Sequence, residues 1–248
     1  MYIKFILKIL SFFDYFKKKD VINYFKKKKI INFFKKNITG NIINLIDVGA
    51  HHGETIKLFN KKFVINNIYA FEPSYKNFKV LEKKTKNIKN YNLKIYNYGI
   101  GEKEGLFDFN ESYESQSSTL VKINYKSNYY KRKQKLLKFF NKEKNLFFTT
   151  KVNIKSLDNF LKEKKIDYVE ILKIDTEGYD FNVIKSLGDK INCINYIYFE
   201  HHFHNMLNKD YTFIKAHNFL VNNGFKKVFK SKMFYRKTFE YIYKNTKI

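Results

Sequence analysis

Carboxylates and histidines collect at the ends of short apolar runs in this 248-residue chain. Asp47 closes NLID, Glu72 follows NIYAF, Asp175 and Glu177 follow VEILKI, and Glu200, His201 and His202 follow NYIYF. An ionised carboxylate accepts two hydrogen bonds and so can hold both hydroxyls of a ribose, and a carboxylate or imidazole set against an alcohol can take its proton. Such groups act together only if they share one place. A parallel sheet supplies it, because the carboxyl ends of its strands lie along one rim, where ligands bind in open α/β sheets. The runs predict that Asp47, Glu72, Asp175, Glu177 and Glu200 ring a single cleft. Neighbouring strand residues face opposite sides, so at most one of His201 and His202 reaches it.

Turn residues mark the elements that would position these groups. In LIDVGAHHGET, Leu45 to Thr55, Gly49 lets the chain turn sharply with its backbone close to a ligand, and Gly53 keeps the following helix tight on its strand. Backbone N–H groups over Gly49, Ala50 and His51 then face a nucleotide-shaped ligand, although two glycines after a strand also occur in turns that bind nothing. Glu72 stands 25 residues after Asp47, near the spacing of roughly 20 at which an acidic residue holds ribose in dinucleotide folds. Pro73, the only proline, keeps Glu72 extended and ends its strand. In DYVEILKIDTEGYDFNVIKSL, Asp167 to Leu187, a strand runs into Asp175 and a helical pattern follows with Phe181, Ile184 and Leu187; Glu177, beside Gly178, is placed to cap that helix. Tyr211 to Val221 reads as a helix closed by Gly224, and FKKVF and FEYIYK read as final strands.

These blocks, in their order, resemble the FkbM family of S-adenosylmethionine-dependent methyltransferases. The resemblance rests on IDVGAHHG (Ile46 to Gly53), FEP (Phe71 to Pro73), KIDTEG (Lys173 to Gly178) and FEHH (Phe199 to His202), with softer matches in YGIGEKEG, Tyr98 to Gly105, and SLDNFL, Ser156 to Leu161. It covers roughly residues 41 to 230. His51 departs from the family pattern, which has Asn there. The resemblance implies an α/β, Rossmann-like class I methyltransferase fold with a mostly parallel central sheet and helices on both faces. It implies S-adenosylmethionine held by Asp47, Gly49, Ala50, His51, Gly53, Glu72, Pro73 and Gly99. It also implies O-methylation, most readily of a sugar hydroxyl in a cell-surface glycan or its lipid-linked precursor. Methyl transfer to an alcohol needs orientation and a base, and Asp175, Glu177, Glu200 and His202 are the candidates, with Glu200 or Asp175 favoured. Asp175, Glu200 and His202 would be the ligands of a divalent metal, which is not the favoured reading. SYESQSSTL, Ser112 to Leu120, resembles a family segment near the active site, with Ser117 and Ser118 as polar contacts.

The size and the 44% hydrophobic content suit one domain, residues 41–248, behind an extension over residues 1–40. The net charge of +26 suggests nucleic acid or an anionic membrane, but Arg132 and Arg236 are the only arginines, leaving 47 lysines among 49 basic residues. A chain also rich in Asn, Ile, Phe and Tyr reflects codon bias more than phosphate recognition, so nucleic acid is not favoured. Ile6, Leu10, Phe13 and Phe16 recur at helical spacing among lysines, as do Val21 and Phe25, which predicts basic amphipathic helices that pack on the domain or lie on anionic lipid through residues 1–36. The apolar stretch is shorter than a membrane span and has no small-residue cleavage site after it. Cys193 alone permits no intrachain disulfide. The expected location is therefore the cytoplasm, with peripheral contact at the inner face of the membrane. A lysine-rich stretch, Lys122 to Lys151, carries a helix near Tyr129 to Phe140 and either covers the acceptor site or decorates the surface.

Other enzyme classes fit less well. A nicotinamide oxidoreductase prefers Gly-x-Gly-x-x-Gly after its first strand. An adenine-N6 DNA methyltransferase needs a Pro-Pro motif that one proline cannot supply. A ribose 2′-O-methyltransferase wants a lysine where Glu200 and His201 stand. A non-catalytic membrane-docked module would leave the glycine turn without a ligand.

Overall fold

The computed structural model describes residues 28–88, 92–113, 115–138, 146–233 and 237–248. Residues 28–37 form helix α1. Then follow β1 (Ile42–Val48), α2 (Glu54–Asn60), β2 (Ile65–Phe71), α3 (Tyr75–Thr85), β3 (Asn92–Tyr96), β4 (Gly99–Ile100), β5 (Gly105–Ser112), β6 (Lys122–Ile123) and α4 (Asn128–Lys138). The second half comprises β7 (Phe147–Lys155), α5 (Leu157–Glu163), β8 (Val169–Ile174), α6 (Asp180–Lys185), a 3-10 turn (Gly188–Cys193), β9 (Ile194–His202), β10 (Leu207–Asn208), α7 (Phe213–Asn222), β11 (Phe225–Lys232) and β12 (Thr238–Asn245).

Seven strands make the main sheet in the order β11-β12-β9-β8-β1-β2-β3. Strands β9, β8, β1, β2 and β3 are parallel, and β12 runs antiparallel between β9 and β11. The continuous apolar character of Leu45, Ile46, Ile171, Leu172 and Ile197, each fully buried, is what a strand covered on both faces requires. Alternation sends Ile46, Val48, Leu172 and Ile197 to one face, against Leu161, Phe181 and Leu220 of α5, α6 and α7. It sends Leu45, Ile171 and Tyr196 to the other, against α1, α2 and α3. The expected doubly covered, mostly parallel sheet is the one observed.

Ser74 and Thr212 cap α3 and α7 by accepting from backbone N–H groups one turn on. Helix α1 is part of the core: Phe34 is fully buried and its ring lies 5.7 Å from Tyr196 and 5.8 Å from Phe59. That portion of the basic extension packs on protein. The helices expected around Phe13 and Phe25 lie outside the described residues. No helix among the described residues is long and apolar enough to cross a membrane.

A smaller sheet, β4-β7-β5, and the pair β10-β6 stand at the carboxyl end of the main sheet. The lysine-rich stretch builds into them. Its helix α4 begins one residue before the expected start, and Tyr130 packs with Val121, Phe147 and Met206. Tyr129 stacks on His204 at 4.2 Å, and Lys133 Nζ donates to Ser117 Oγ at 2.6 Å. This stretch is therefore joined to the loop that walls the cleft described next.

Candidate active site

At the carboxyl ends of β1, β2, β8 and β9 lies a cavity of about 230 Å³. Gly49, Ala50, His51, Glu72, Pro73, Gly99, Asp175, Glu177 and Glu200 all line it. Nine of the side chains and turn residues singled out by the strand ends, the turn and the family resemblance are thus brought together around one cavity. The rim of a parallel sheet does this, as the order of the strand ends implied.

Gly49 is obligatory for a packing reason. Its φ is +78°, and a Cβ there would lie 2.0 Å from the carbonyl oxygen of Asp175, so β1 and the end of β8 can meet only at glycine. Gly53 does not line the cavity; it precedes α2 at φ +82°, against Leu81 of α3. Between them His51 holds a left-handed backbone, φ 48°, a strained setting for a residue with a Cβ. Its N–H donates to Glu72 Oε2 at 2.8 Å, and its Nε2 sits 2.8 Å from Ser115 Oγ. The N–H groups of Gly49 and Ala50 both donate to the Phe71 carbonyl at 3.0 Å, so, contrary to expectation, the donors of the turn are spent on the end of β2 and tie the turn to that strand rather than facing a ligand.

Glu72 also accepts from the Ser74 N–H, through Oε1 at 3.0 Å. Burial pushes its carboxyl up to about 7, against the pull of these donors. The Asn77 side chain also hydrogen-bonds this carboxylate, which keeps acceptor capacity for ribose hydroxyls.

Asp47 differs from the expectation. It is fully buried beneath the turn rather than on the rim, because its register partner on β8 is Lys173, whose Nζ lies 2.8 Å from Asp47 Oδ1. Lys173 Nζ donates to the Gly49 carbonyl at 3.1 Å and stands 3.8 Å from Asp175 Oδ2. Burial works against its charge, but Asp47 and Asp175 outweigh that and hold the ammonium above its usual range. Asp47 therefore shapes the turn through Lys173. The lysine was legible in principle: a charge inside VEILKI demands a buried partner.

The loop after β8 is held by Asp180, which was not anticipated. Its Oδ1 accepts from the Thr176 N–H and hydroxyl, each at 3.0 Å, and its Oδ2 from the Gly178 N–H at 3.1 Å. Glu177 was expected to cap the next helix, but Asp180 takes that load. Glu177 instead takes a left-handed φ of 49° and turns its side chain toward the cavity and His202. Its Oε2 is 3.5 Å from His202 Nε2, and His202 Nδ1 meets Thr238 Oγ1 at 3.0 Å.

His202 is 2% exposed and not on the cavity wall, nor is His201, so neither histidine reaches the cleft directly. Among the described residues Asp175, Glu200 and His202 do not gather as ligands of one ion; the atoms that gather belong to His51, His52 and Glu54. Two further wall residues escaped the sequence. Glu240 of β12 is the register partner of Glu200, and it accepts from the Tyr198 hydroxyl at 2.8 Å. Burial keeps that hydroxyl protonated by pushing it well above its usual range. Of the serine loop, Ser118 lines the cavity, while Ser117 is turned to Lys133.

A family model, the methyltransferase FkbM domain, matches residues 47–227. Among solved structures the chain is similar to the FkbM methyltransferase of Methylobacillus flagellatus KT, with 11% identity and a TM-score of 0.53 over 84% of this chain. It is also similar to magnesium protoporphyrin IX methyltransferase of Synechocystis PCC 6803, solved with bound S-adenosylmethionine: 7% identity and a TM-score of 0.51 over 91% of this chain and 81% of that one. At such identities the likeness is one of fold. The chain spans 44% of the length of the Methylobacillus protein. A search of curated proteins finds none that matches. With the family model extending from the acid beneath the glycine turn to β11, and the class I fold around it, this chain belongs to the FkbM family of S-adenosylmethionine-dependent methyltransferases.

Proposed function

We propose that this chain is an O-methyltransferase that methylates a sugar hydroxyl of a cell-surface glycan or its lipid-linked precursor. The observation that carries the reading is the continuity of one cavity, in which the glycine turn and Glu72 adjoin Asp175 and Glu200. Glu72 holds the ribose hydroxyls, and the backbone at Gly49, Ala50 and Gly99 comes close enough for a nucleoside because no side chain intervenes beyond a methyl. S-adenosylmethionine supplies an electrophilic methyl and a neutral leaving group. What remains for the protein is to orient the acceptor oxygen and accept its proton. Asp175 and Glu200 engage the hydroxyl, one of them as its base, with Lys173 beneath holding Asp175 in place. The carboxylates on the wall favour a polyhydroxylated acceptor, which donates hydrogen bonds to them. Contact of residues 1–27 with anionic lipid at the inner face of the membrane would bring the enzyme to a lipid-linked sugar and belongs to the same proposal.

The test uses radiolabelled S-adenosylmethionine with a panel of lipid-linked oligosaccharides and free glycans, and RNA as control. Label in an acid-stable methyl ether of a sugar is the expected result; transfer to RNA alone contradicts the proposal. With the acceptor in hand, Asp175→Asn lowers kcat by roughly 10² to 10⁴ if Asp175 is the base, while cofactor affinity stays near that of the wild type. An unchanged kcat moves the role to Glu200.

A further inference from the structure

His51, His52 and Glu54 meet between β1 and the start of α2, where His51 and Glu54 line the cavity. Their ligand atoms all lie within 4.8 Å of one another. His51 Nδ1 is 3.3 Å from each oxygen of Glu54, and His52 Nδ1 is 3.9 Å from Oε1. A tetrahedral ion that holds nitrogen and oxygen ligands at roughly 2.0–2.1 Å sets neighbouring ligands about 3.3 Å apart. The first distance matches that edge, and the second needs a few tenths of an ångström of side-chain movement.

The two imidazoles stack at 3.7 Å with 22° between their planes, and Nδ1 of each is the nitrogen that approaches the Glu54 carboxylate; since imidazole lone pairs lie in the ring plane, a shared ion turns one ring out of the stack. The far nitrogen of His51 is already engaged, 2.8 Å from Ser115 Oγ. When that nitrogen carries the proton and donates it to the serine, the Nδ1 lone pair faces the Glu54 carboxylate, an arrangement that is repulsive without a cation between them. Metal-binding histidines commonly hold such an outer partner through the second ring nitrogen. The side chains are 19%, 22% and 45% exposed, so an ion can enter from solvent.

From this geometry we propose that His51, His52 and Glu54 bind one divalent ion of the zinc type, with water in the fourth position. Two imidazoles and one carboxylate suit zinc, cobalt or nickel; magnesium and calcium prefer ligand sets made of oxygen alone. The site is separate from the acceptor-binding carboxylates and does not depend on the identity of the acceptor. The ion fixes the ring of His51, and through it the glycine turn that lines the cavity and the loop that carries Ser115. The competing arrangement has a proton on His51 Nδ1, donated to Glu54, and needs no ion.

The experiment titrates the full chain, freed of metal by chelation, with Zn²⁺ by calorimetry and with Co²⁺ by visible absorption. His52→Ala and Glu54→Gln are titrated alongside, and circular dichroism melting establishes that each is folded. The expected result is one equivalent of Zn²⁺, four-coordinate cobalt bands, and affinity at least ten-fold weaker in whichever variant is folded. Absence of saturable Zn²⁺ binding by the wild type, or equal binding by a folded variant, overturns the proposal. Neither outcome depends on cofactor binding or on methyl transfer.

Discussion

Single side chains carry the most consequential features of the cleft. Glu72 lies under the His51 turn, buried, with its carboxyl near 7. The folded chain therefore keeps a proton that the unfolded chain releases above about 4.5, and this group's contribution to stability is present below that pH and is lost as pH rises through 7. Cofactor binding runs the other way, because the ionised carboxylate is the better acceptor for two hydroxyls. Affinity for S-adenosylhomocysteine should rise about ten-fold between pH 6 and 8, as the ionised fraction does, and Glu72→Gln should remove that dependence. Isothermal titration at several pH values checks it, and a rise that persists in the variant assigns the titration elsewhere. Lys173 is the reverse case, an ammonium kept charged by Asp47 and Asp175 so that three carboxylates, Glu200 included, can stand close together on neighbouring strands. The glycines, Glu72 and the acids after β8 could be read from the chain because each carries a local backbone or strand-end signal. Lys173 and Glu240 could not be placed so readily, because their roles come from partners on neighbouring strands.

Elements differ in how much their own sequence reveals. Strands β1, β2, β8 and β9 are continuous apolar runs, and their order along the chain was enough to suggest a shared rim. The loop after β8 was read less well: Glu177 looked like the cap, yet Asp180 accepts the three donors that close the loop. The reason is geometric. With Glu177 in the left-handed region, its side chain leaves the helix start, and Asp180 reaches back instead. Asp180→Ala should cost about 3 kcal/mol, two or more hydrogen bonds to a charged acceptor, measured by chemical denaturation; a loss under 1 kcal/mol would mean the loop is held otherwise. Helix α1 is the other element whose role the sequence left open, since its apolar stripe suited lipid as well as protein. In the fold its Phe34 meets Tyr196 and Phe59, so Phe34→Ala should destabilise by about 3–5 kcal/mol. Destabilisation of less than 1 kcal/mol by the same measurement would show that α1 is not part of the cooperative core.

Across the whole molecule the division of labour is plain. The central strands were legible as apolar runs ending in turn signals, and the sheet covered on both faces was legible through the resemblance to the FkbM family. The helix of the lysine-rich stretch was legible too, but the accessory sheet β4-β7-β5 was not, because strands of mixed polarity such as β5 and β7 carry no period that one sequence resolves. The lysine-rich stretch is tied through Lys133 and Ser117 to the serine loop, whose Ser115 and Ser118 line the cavity. The charge of +26 comes from a chain in which 47 of 49 basic residues are lysine, and it says less about partners than its size suggests. All of this rests on the assignment of the cavity to a nucleoside cofactor. Calorimetric titration of the purified chain with S-adenosylhomocysteine, with NAD and a short RNA as controls, tests it most directly. One equivalent of S-adenosylhomocysteine should bind, with affinity lost in folded Glu72→Ala and no saturable binding of NAD. A folded chain that binds no S-adenosylhomocysteine, or binds it equally well without the Glu72 carboxylate, would contradict the account.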